Sequence, residues 1–245
     1  MPQTDAQASL SIGALKFDPT DATHNTLIAG IGDYSSLNSI GGPRTGFLRT
    51  TNGGTNWSPI SFPNENISGV AERGATIVAS VDFALPFDCA HIGIGRSINT
   101  GASFFQVGPQ GVSHDLASDP SNNAVLYTDS VFADSCSSGF LSNGIYKSTD
   151  SGATWNLVSD ATMNGLIVDN QTDNVKIAVG SHNDVDVAID NLGEVVGLFH
   201  SPDGGVTWQS LDLPVTIDGC AAFGLHPGKQ AIFISQSSLT PPTPI

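Results

Sequence analysis

Cationic side chains are scarce in this chain. Its 245 residues include only 8 Lys and Arg against 23 Asp and Glu, which gives a formal net charge of −15. This balance argues against nucleic acid and anionic membranes as partners, because both are negatively charged themselves. The acidity indicates solubility first, and binding of multivalent cations second.

Cysteines and long apolar runs are scarce as well. No stretch approaches the roughly 18 apolar residues of a membrane helix, so no membrane span is expected. Of the three cysteines, Cys89 and Cys136 fall in equivalent long loops of successive repeats, which makes a disulfide between them geometrically reasonable, with free thiols as the alternative. Cys220 lies in an apolar stretch and is expected to be a small buried side chain rather than a nucleophile.

Four eight-residue segments are variants of one pattern, and we call them repeat hairpins 1 to 4. Each reads hydroxyl, any residue, Asp or Asn, any residue, Gly, any residue, polar, aromatic. The hydroxyl and the amide or carboxylate can bond to amides of the turn, and the glycine permits a positive φ. All three tryptophans occupy the last position. The predicted structural residues are Thr50, Asn52, Gly54 and Trp57; Ser97, Asn99, Gly101 and Phe104; Ser148, Asp150, Gly152 and Trp155; and Ser201, Asp203, Gly205 and Trp208.

The spacing of these hairpins predicts the fold. They begin 47, 51 and 53 residues apart, which suits one four-stranded blade per repeat. We therefore expect an all-β chain that forms a β-propeller of four-stranded antiparallel blades. The predicted blades lie roughly at residues 10–62, 67–108, 112–159 and 163–213, with a partial blade at 217–236 and a Pro-rich loop or linker at 237–245.

About four and a half blades do not obviously close a ring. The favoured expectation is that the chain is part of a six- or seven-bladed propeller, and the alternative is a five-bladed ring with an incomplete last blade. In blades one, three and four, an Asp at a turn is expected to separate the first strand from the second: Asp18, Asp119 and Asp169. The second strands predicted after these turns are residues 26–31, 125–129 and 175–180.

The hairpin pattern resembles the Asp-box, or BNR, repeat of sialidase-like, sortilin-type and photosystem-assembly-factor-like β-propellers. The resemblance covers about residues 10 to 236 and concerns the fold far more than the activity, because one scaffold can host many functions. It implies a secreted or periplasmic protein, although no signal peptide is visible at residues 1–10.

Two kinds of enzyme follow from the resemblance. Sialidases of this type clamp the sugar carboxylate with three arginines, whereas two of the four arginines here, Arg49 and Arg96, stand directly before repeat hairpins and are expected to be structural. The other kind is a xyloglucanase-like glycoside hydrolase, for which Asp33 would be the acid or base to test. All tryptophans lie in the hairpins, so aromatic platforms for sugars are lacking and catalysis is not demonstrable from the sequence.

The favoured function is therefore a loop-built face that binds a protein or a glycan, on the side of the propeller opposite the repeat hairpins. The oligomeric state is not predicted, and no cofactor is expected apart from Ca²⁺ as a weak candidate. Such an ion would be held by carboxylates of a predicted blade-four loop, Asp184, Asp186 and Asp190. The residues predicted to form the binding face are Asp33, Tyr34, Arg44, Asp82, Asp88, His91, Asp129, Asp134, His182 and Asp184.

Overall fold

The computed structural model describes residues 7–32, 42–84, 89, 91–131 and 142–212. These residues form four antiparallel sheets of four strands, and in each sheet the strands lie in chain order. Sheet one contains β1 (Ile12–Phe17), β2 (Leu27–Ile31), β3 (Gly46–Thr50) and β4 (Ser58–Ser61). Sheet two contains β5 (Glu65–Arg73), β6 (Thr76–Ala84), β7 (Gly93–Ser97) and β8 (Phe105–Val107).

Sheets three and four follow the same order. Sheet three contains β9 (Leu116–Ser118), β10 (Leu126–Ser130), β11 (Gly144–Ser148) and β12 (Asn156–Leu157). A short helix, α1 (Ala161–Leu166), leads into sheet four, which contains β13 (Thr172–Val179), β14 (Val185–Asn191), β15 (Glu194–Ser201) and β16 (Gln209–Leu211).

The first strand of each sheet lies innermost. Strand β1 contacts β5, β5 contacts β9, and β9 contacts β13, so the four sheets are arranged around a common axis as blades of a β-propeller. The prediction of an all-β propeller with four-stranded antiparallel blades is confirmed. The predicted partial blade at 217–236 and the Pro-rich segment at 237–245 lie outside the described residues.

Two faces follow from this topology. The connections between first and second strands, and between third and fourth strands, lie on one side, which we call the hairpin face because it carries the repeat hairpins. The connections between second and third strands, and those between blades, lie on the other side, which we call the loop face.

The four repeat hairpins share one hydrogen-bond network. The hydroxyl at position one accepts the N–H of the glycine at position five at 2.7–3.0 Å, and it donates to the side-chain oxygen at position three at 2.8–2.9 Å. That oxygen also accepts the N–H of position seven at 2.8–3.0 Å. In hairpin 4 the Thr207 hydroxyl also donates to Asp203, and this bond, followed by those of the network, lowers the pKa of Asp203 to about 2.

The aromatic residues that end repeat hairpins 2 to 4 fill space between blades, whereas Trp57 of hairpin 1 packs on a cluster of its own blade. Phe104 of blade two packs on the apolar cluster that blades one and two share, and Trp155 of blade three packs on the cluster between blades two and three. Trp208 of blade four packs against the cluster of blades three and four, and its Nε1–H donates to the carbonyl oxygen of Val158 at 2.7 Å. The aromatic side chains of hairpins 2 to 4 therefore join each of these blades to the one before it.

The cationic residue before a hairpin reaches in the opposite direction, to the following blade. Arg96 donates through Nε to the carbonyl oxygen of Ser151 at 3.0 Å, and Lys147 donates through Nζ to that of Gly204 at 2.8 Å. Both acceptors stand at position four of the next repeat hairpin. Arg49 instead pairs with the buried carboxylate of Glu72 in blade two. The cations at this repeat position thus stabilise the scaffold, as the sequence indicated.

Blade four departs from the predicted strand order. Residues 175–180 were expected to form its second strand, but they belong largely to its first strand, β13. The reason is α1, which is capped by Asp160 and buries Met163 under the blade. The Asp160 side chain accepts the N–H of Met163 at 2.9 Å. Asp169 therefore follows a helix instead of separating two strands, although its spacing matched the other repeats.

Two further features concern membrane-spanning helices and cysteine pairing. Among the described residues, no helix has the length and apolar character required to cross a bilayer. Cys89 is disulfide-bonded. The other two cysteines, Cys136 and Cys220, lie outside the described residues, so the pairing of Cys89 with Cys136 stays a prediction.

Candidate functional site

A cavity of about 300 Å³ lies at the axis, and we call it the axial pocket. All four blades contribute to its wall. Gly13 comes from blade one, and the remaining wall is polar: Ser68, Asp82, His114, Asp173, Asn174 and Lys176.

The axial pocket opens toward the loop face. Strand β13 enters its sheet at Thr172, which pairs with Asn191 beside the turn between β14 and β15, so Asp173 and Asn174 lie at that end of the strand. His114 precedes β9, where the chain arrives from blade two. The pocket is therefore on the side opposite the repeat hairpins, the side on which the sequence predicts a binding face.

His114 is held rigidly in the wall by Asp129. Its Nδ1 lies 2.7 Å from Oδ2 of Asp129, while Oδ1 of the same carboxylate accepts the backbone N–H of His114 at 2.8 Å and that of Asp115 at 3.0 Å. The Asp129 side chain is fully buried, and 11% of the His114 side chain is exposed. Because Nδ1 is bonded to Asp129, the nitrogen left for the pocket is Nε2, for which no partner is found among the described residues.

The charge state of His114 follows from competing effects. Burial lowers its pKa, but the charge of Asp129 and the hydrogen bond to it raise the pKa by more. Asp82 adds to the increase and Lys176 opposes it, and the net result is a pKa above the ordinary value. His114 is thus an imidazolium over a wider pH range than a free histidine.

A buried polar layer lies under the pocket. Ser113 and Thr128 bond through their hydroxyls, and Thr128 donates to the carbonyl oxygen of Asp115 at 2.8 Å. The Asp115 carboxylate accepts the N–H of Ile177 at 2.9 Å, which ties blade three to blade four. Burial raises the pKa of Asp115, and Lys176 lowers it in part. This layer holds the backbone around His114 in place.

The remaining polar groups of the pocket are more accessible. Asp82 is half-buried and accepts a hydrogen bond from Nδ2 of Asn66 at 2.7 Å. Lys176 is exposed, and its Nζ lies 3.3 Å from the carbonyl oxygen of His114, so its ammonium group stands beside the imidazole-bearing residue. Asp173 and Asn174 are exposed at the rim. The pocket therefore offers two cationic donors, His114 and Lys176, together with carboxylate acceptors.

A second cavity of about 220 Å³ lies between blades one and two. Its wall is aromatic in part, with Phe62 and Phe104 in contact at 4.5 Å between ring centroids and with Phe105 60% exposed. His91 is exposed at its edge. Gln106 donates to the carbonyl oxygens of Cys89 and Ile92, both at 2.7 Å, and so binds the loop that carries His91 to β8.

The structure brings together some of the predicted binding-face residues. Asp82 lines the axial pocket, and Asp129, the last residue of a predicted second strand, lies in strand β10 and is buried beneath the pocket. Arg44 is half-buried in the segment before β3, where its carbonyl oxygen accepts the N–H of Asn64 at 3.0 Å. Four predicted residues lie outside the described residues, as does the side chain of His182: Asp33, Tyr34, Asp88 and Asp134.

The predicted Ca²⁺ ligands are not brought together. The segment expected to be a loop is strand β14, with Asp184 directly before it and Asp190 near its far end. At about 3.3 Å per residue, these two Cα atoms are about 20 Å apart. Asp186 binds its cross-strand neighbour His200 instead, at 2.9 Å. Within the described part of the chain, no group of three or more His, Cys, Asp or Glu side chains could hold a metal ion.

Sequence reasoning missed most of the pocket. Ser68, His114, Asp173, Asn174 and Lys176 were not among the predicted site residues, because the binding face was expected to be built from loops, whereas these residues lie in or before the first strands of their blades. One signal was present: Asp173, Asn174 and Lys176 place three polar residues within four positions.

The chain is similar in structure to several propeller proteins. No family model matches its sequence, and neither does any curated protein. The GH74 enzyme of Niastella koreensis is 20% identical with a TM-score of 0.54, over 81% of this chain and 29% of that one. An ancestral GH74 enzyme is 17% identical with a TM-score of 0.54, over 83% of this chain and 26% of that one.

A third similar structure is YCF48 from Cyanidioschyzon merolae. It is 18% identical with a TM-score of 0.53, and the match covers 86% of this chain and 58% of that one. The chain thus spans less than two thirds of each of these proteins. At such identities the likeness shows the propeller fold alone.

Proposed function

We propose that this protein is a non-catalytic propeller that binds a protein or a glycan through its loop face, with the axial pocket at the centre of the binding surface. One observation carries the proposal: polar side chains from separate blades converge on one cavity. Apolar clusters fill much of the space between neighbouring blades. Since polar groups stabilise a core less than apolar ones do, their convergence here favours recognition of a ligand.

We further propose that the repeat hairpins are Asp boxes of the kind found in sialidase-like and sortilin-type propellers. Their shared hydrogen bonds support this. The hydroxyls at position one are buried and bonded inside each turn, so they serve the scaffold. Ligand binding is therefore assigned to the opposite face.

The proposed compartment is extracellular or periplasmic. The disulfide of Cys89 supports it, because disulfides persist in oxidising compartments. The net charge of −15 supports a partner other than nucleic acid. Mass analysis of peptides under non-reducing conditions should recover Cys89 linked to Cys136, and a Cys89–Cys220 peptide or three free thiols would contradict that pairing.

A ligand screen tests the binding function. The protein is applied to a glycan array and to a peptide library, and hits are measured again with Asn174→Ala, which removes an exposed amide from the pocket. The matched control is Asn123→Ala, an exposed residue of the β9–β10 turn on the hairpin face. We expect at least tenfold weaker binding for the pocket variant only. Hits that respond to neither variant, or to both equally, would reject the axial pocket as the site.

A glycoside hydrolase is the second candidate function. It is favoured by the similarity to GH74 folds and by two carboxylates, Asp82 and Asp173, that reach one pocket from different blades. The test is turnover of fluorogenic sialosides and β-glucan oligosaccharides by the wild type, Asp82→Asn and Asp33→Ala. If the wild type turns over a substrate and either variant is slower, the protein is a glycoside hydrolase and the non-catalytic proposal is wrong. If the wild type turns over neither substrate class, the non-catalytic proposal is supported.

A further inference from the structure

We infer that His114, in its imidazolium form, is the specificity-determining residue of the axial pocket, and that with Lys176 it binds a carboxylate group of the ligand. The inference rests on the proposed binding function and extends it, because it names the chemistry that the ligand must present.

The orientation of His114 is the first argument. The Asp129 carboxylate is hydrogen-bonded to Nδ1 of His114 and accepts two backbone N–H groups. The ring therefore has one orientation, with Nε2 directed to the pocket that His114 lines. A histidine that only stabilised the fold would not need a free second nitrogen at a cavity wall. Fixing the donor before the ligand arrives also reduces the entropy lost on binding.

Lys176 places an ammonium group next to His114. Lys176 reaches the pocket from a different blade, and its Nζ lies 3.3 Å from the carbonyl oxygen of His114. Cations are few in this chain, eight Lys and Arg in total, and most described ones are used between blades. Two cationic donors side by side form the arrangement that binds a carboxylate through charge-assisted hydrogen bonds.

The charges around His114 set the pH dependence. Asp129 faces it from β10, Asp82 from β6, Asp115 from its own segment and Lys176 from β13, with Asp173 at the rim. Asp129 is neutralised by His114 itself, whereas Asp82 and Asp173 line the pocket and oppose a bound anion. Carboxylate binding should therefore weaken as the pH rises through the elevated pKa of His114, because the donor charge is lost.

The test uses glucuronate as the probe and glucose as its uncharged counterpart, which differs only in carrying a hydroxymethyl group. Binding to the full chain is followed by NMR of the ring resonances of the six histidines. We expect glucuronate, but not glucose, to give a saturable shift of His114 at pH 6. Binding should be at least tenfold weaker at pH 9.

Variants that are expected to change glucuronate binding in opposite directions separate ligand recognition from a structural role. Lys176→Met and His114→Gln should weaken glucuronate binding about tenfold, whereas Asp82→Asn should strengthen it two- to threefold. The control, Lys16→Met, removes the same charge from an exposed residue of β1 and should change binding less than twofold. Lys176 is exposed, so its variant reports on binding even if His114→Gln folds poorly.

The outcomes also distinguish this inference from the proposed function. Array hits that depend on Asn174 but are insensitive to pH and to Lys176→Met would overturn the carboxylate site and leave the binding function in place. A wild-type protein whose His114 resonances do not respond to glucuronate at pH 6, or respond equally to glucose, would overturn the inference as well. If no ligand in the array or the library binds in a way that depends on Asn174, the proposed function itself is rejected.

Discussion

Lys147 donates a hydrogen bond through Nζ to the carbonyl oxygen of Gly204 at 2.8 Å, and so joins blade three to the repeat hairpin of blade four. The ammonium group also lies 5.2 Å from the centroid of the Tyr127 ring, and the Tyr127 hydroxyl donates to the same carbonyl oxygen at 3.1 Å. Two donors of blade three thus meet at one backbone oxygen in a turn of blade four.

Replacing Lys147 with Met should lower the free energy of unfolding by about 1–2 kcal/mol. The charged hydrogen bond is lost, while the Tyr127 hydroxyl still satisfies the carbonyl, which keeps the loss moderate. Chemical denaturation monitored by tryptophan fluorescence measures the change. Lys16→Met is the control and should stay within about 0.5 kcal/mol of the wild type. Equal losses in both variants would contradict a role for this contact.

Ser151 should be improved by glycine. It stands at position four of repeat hairpin 3 with a φ of 57°, in the left-handed region that L side chains disfavour. Hairpins 1 and 4 have glycine at this position. Ser151→Gly should therefore raise the free energy of unfolding by about 0.5–1 kcal/mol.

Position five of the same hairpin supplies the matched control. A Cβ on Gly152 would come within 2.9 Å of a Val78 methyl group, at a φ of 78°. Gly152→Ala should therefore destabilise the protein, whereas Ser151→Gly stabilises it. Thermal melts of both variants check the pair, and the same sign for the two changes would refute the turn geometry as the cause.

Breaking the pair of Asp129 with His114 should be costly. Asp129→Asn leaves the buried imidazole without its counter-charge, and we expect a loss of about 3–5 kcal/mol at pH 6. The folded-state pKa of His114 is raised, so the stabilisation is fully present below the unfolded value of about 6.5 and is lost as the pH rises through the folded value.

The pH profile provides the readout for this pair. Denaturation at pH 6 and at pH 9 should show the wild type losing more stability than Asp129→Asn as the pH increases. A constant difference between the two proteins over this range would mean that His114 does not titrate against Asp129.

Arg49 and Glu72 form a pair whose members should respond unequally to substitution. The Glu72 side chain is fully buried, and its pKa is raised by burial, with Arg49 lowering it in part. Arg49→Met removes the partner and should cost about 3–5 kcal/mol at neutral pH, because the carboxylate is left uncompensated. Glu72→Gln keeps an acceptor for Arg49 and should cost less than about 1 kcal/mol.

Acid should partly rescue the Arg49 variant. Since a raised carboxyl pKa contributes stability at low pH that is lost as the pH rises through it, the deficit of Arg49→Met should shrink as the pH falls from about 7 to the ordinary glutamate pKa of 4.5 and Glu72 takes up a proton. Guanidinium titrations at both values measure this, and a deficit that is the same at both would argue against a charged Glu72 as its source.

The sequence was sufficient to predict the blades because the repeat hairpins are local structures. Thr50 and Gly54, or Ser201 and Gly205, bond within a few residues of one another, so the pattern can be recognised without knowledge of the rest of the fold. The cations before the hairpins were also identified as structural from their recurrence, although their acceptors in the next blade were not.

The strand order of blade four could not be read in the same way. Asp169 occurs at the spacing of the other turn residues, yet α1 displaces the blade by several residues and turns the expected acidic loop into β14. That outcome depends on the burial of Met163 among residues of two blades, a contact between parts of the chain that are distant in sequence.

The repeat hairpins, the blade spacing and the acidity were thus determined by the sequence alone, because each depends on neighbouring residues or on composition. The axial pocket was decided only by the tertiary structure. Asp82, His114 and Lys176 come from three blades and share no motif. They lie together because the innermost strands pack around one axis. The hydrogen bond between His114 and Asp129 favours the charged imidazolium and fixes the orientation of its ring in the pocket.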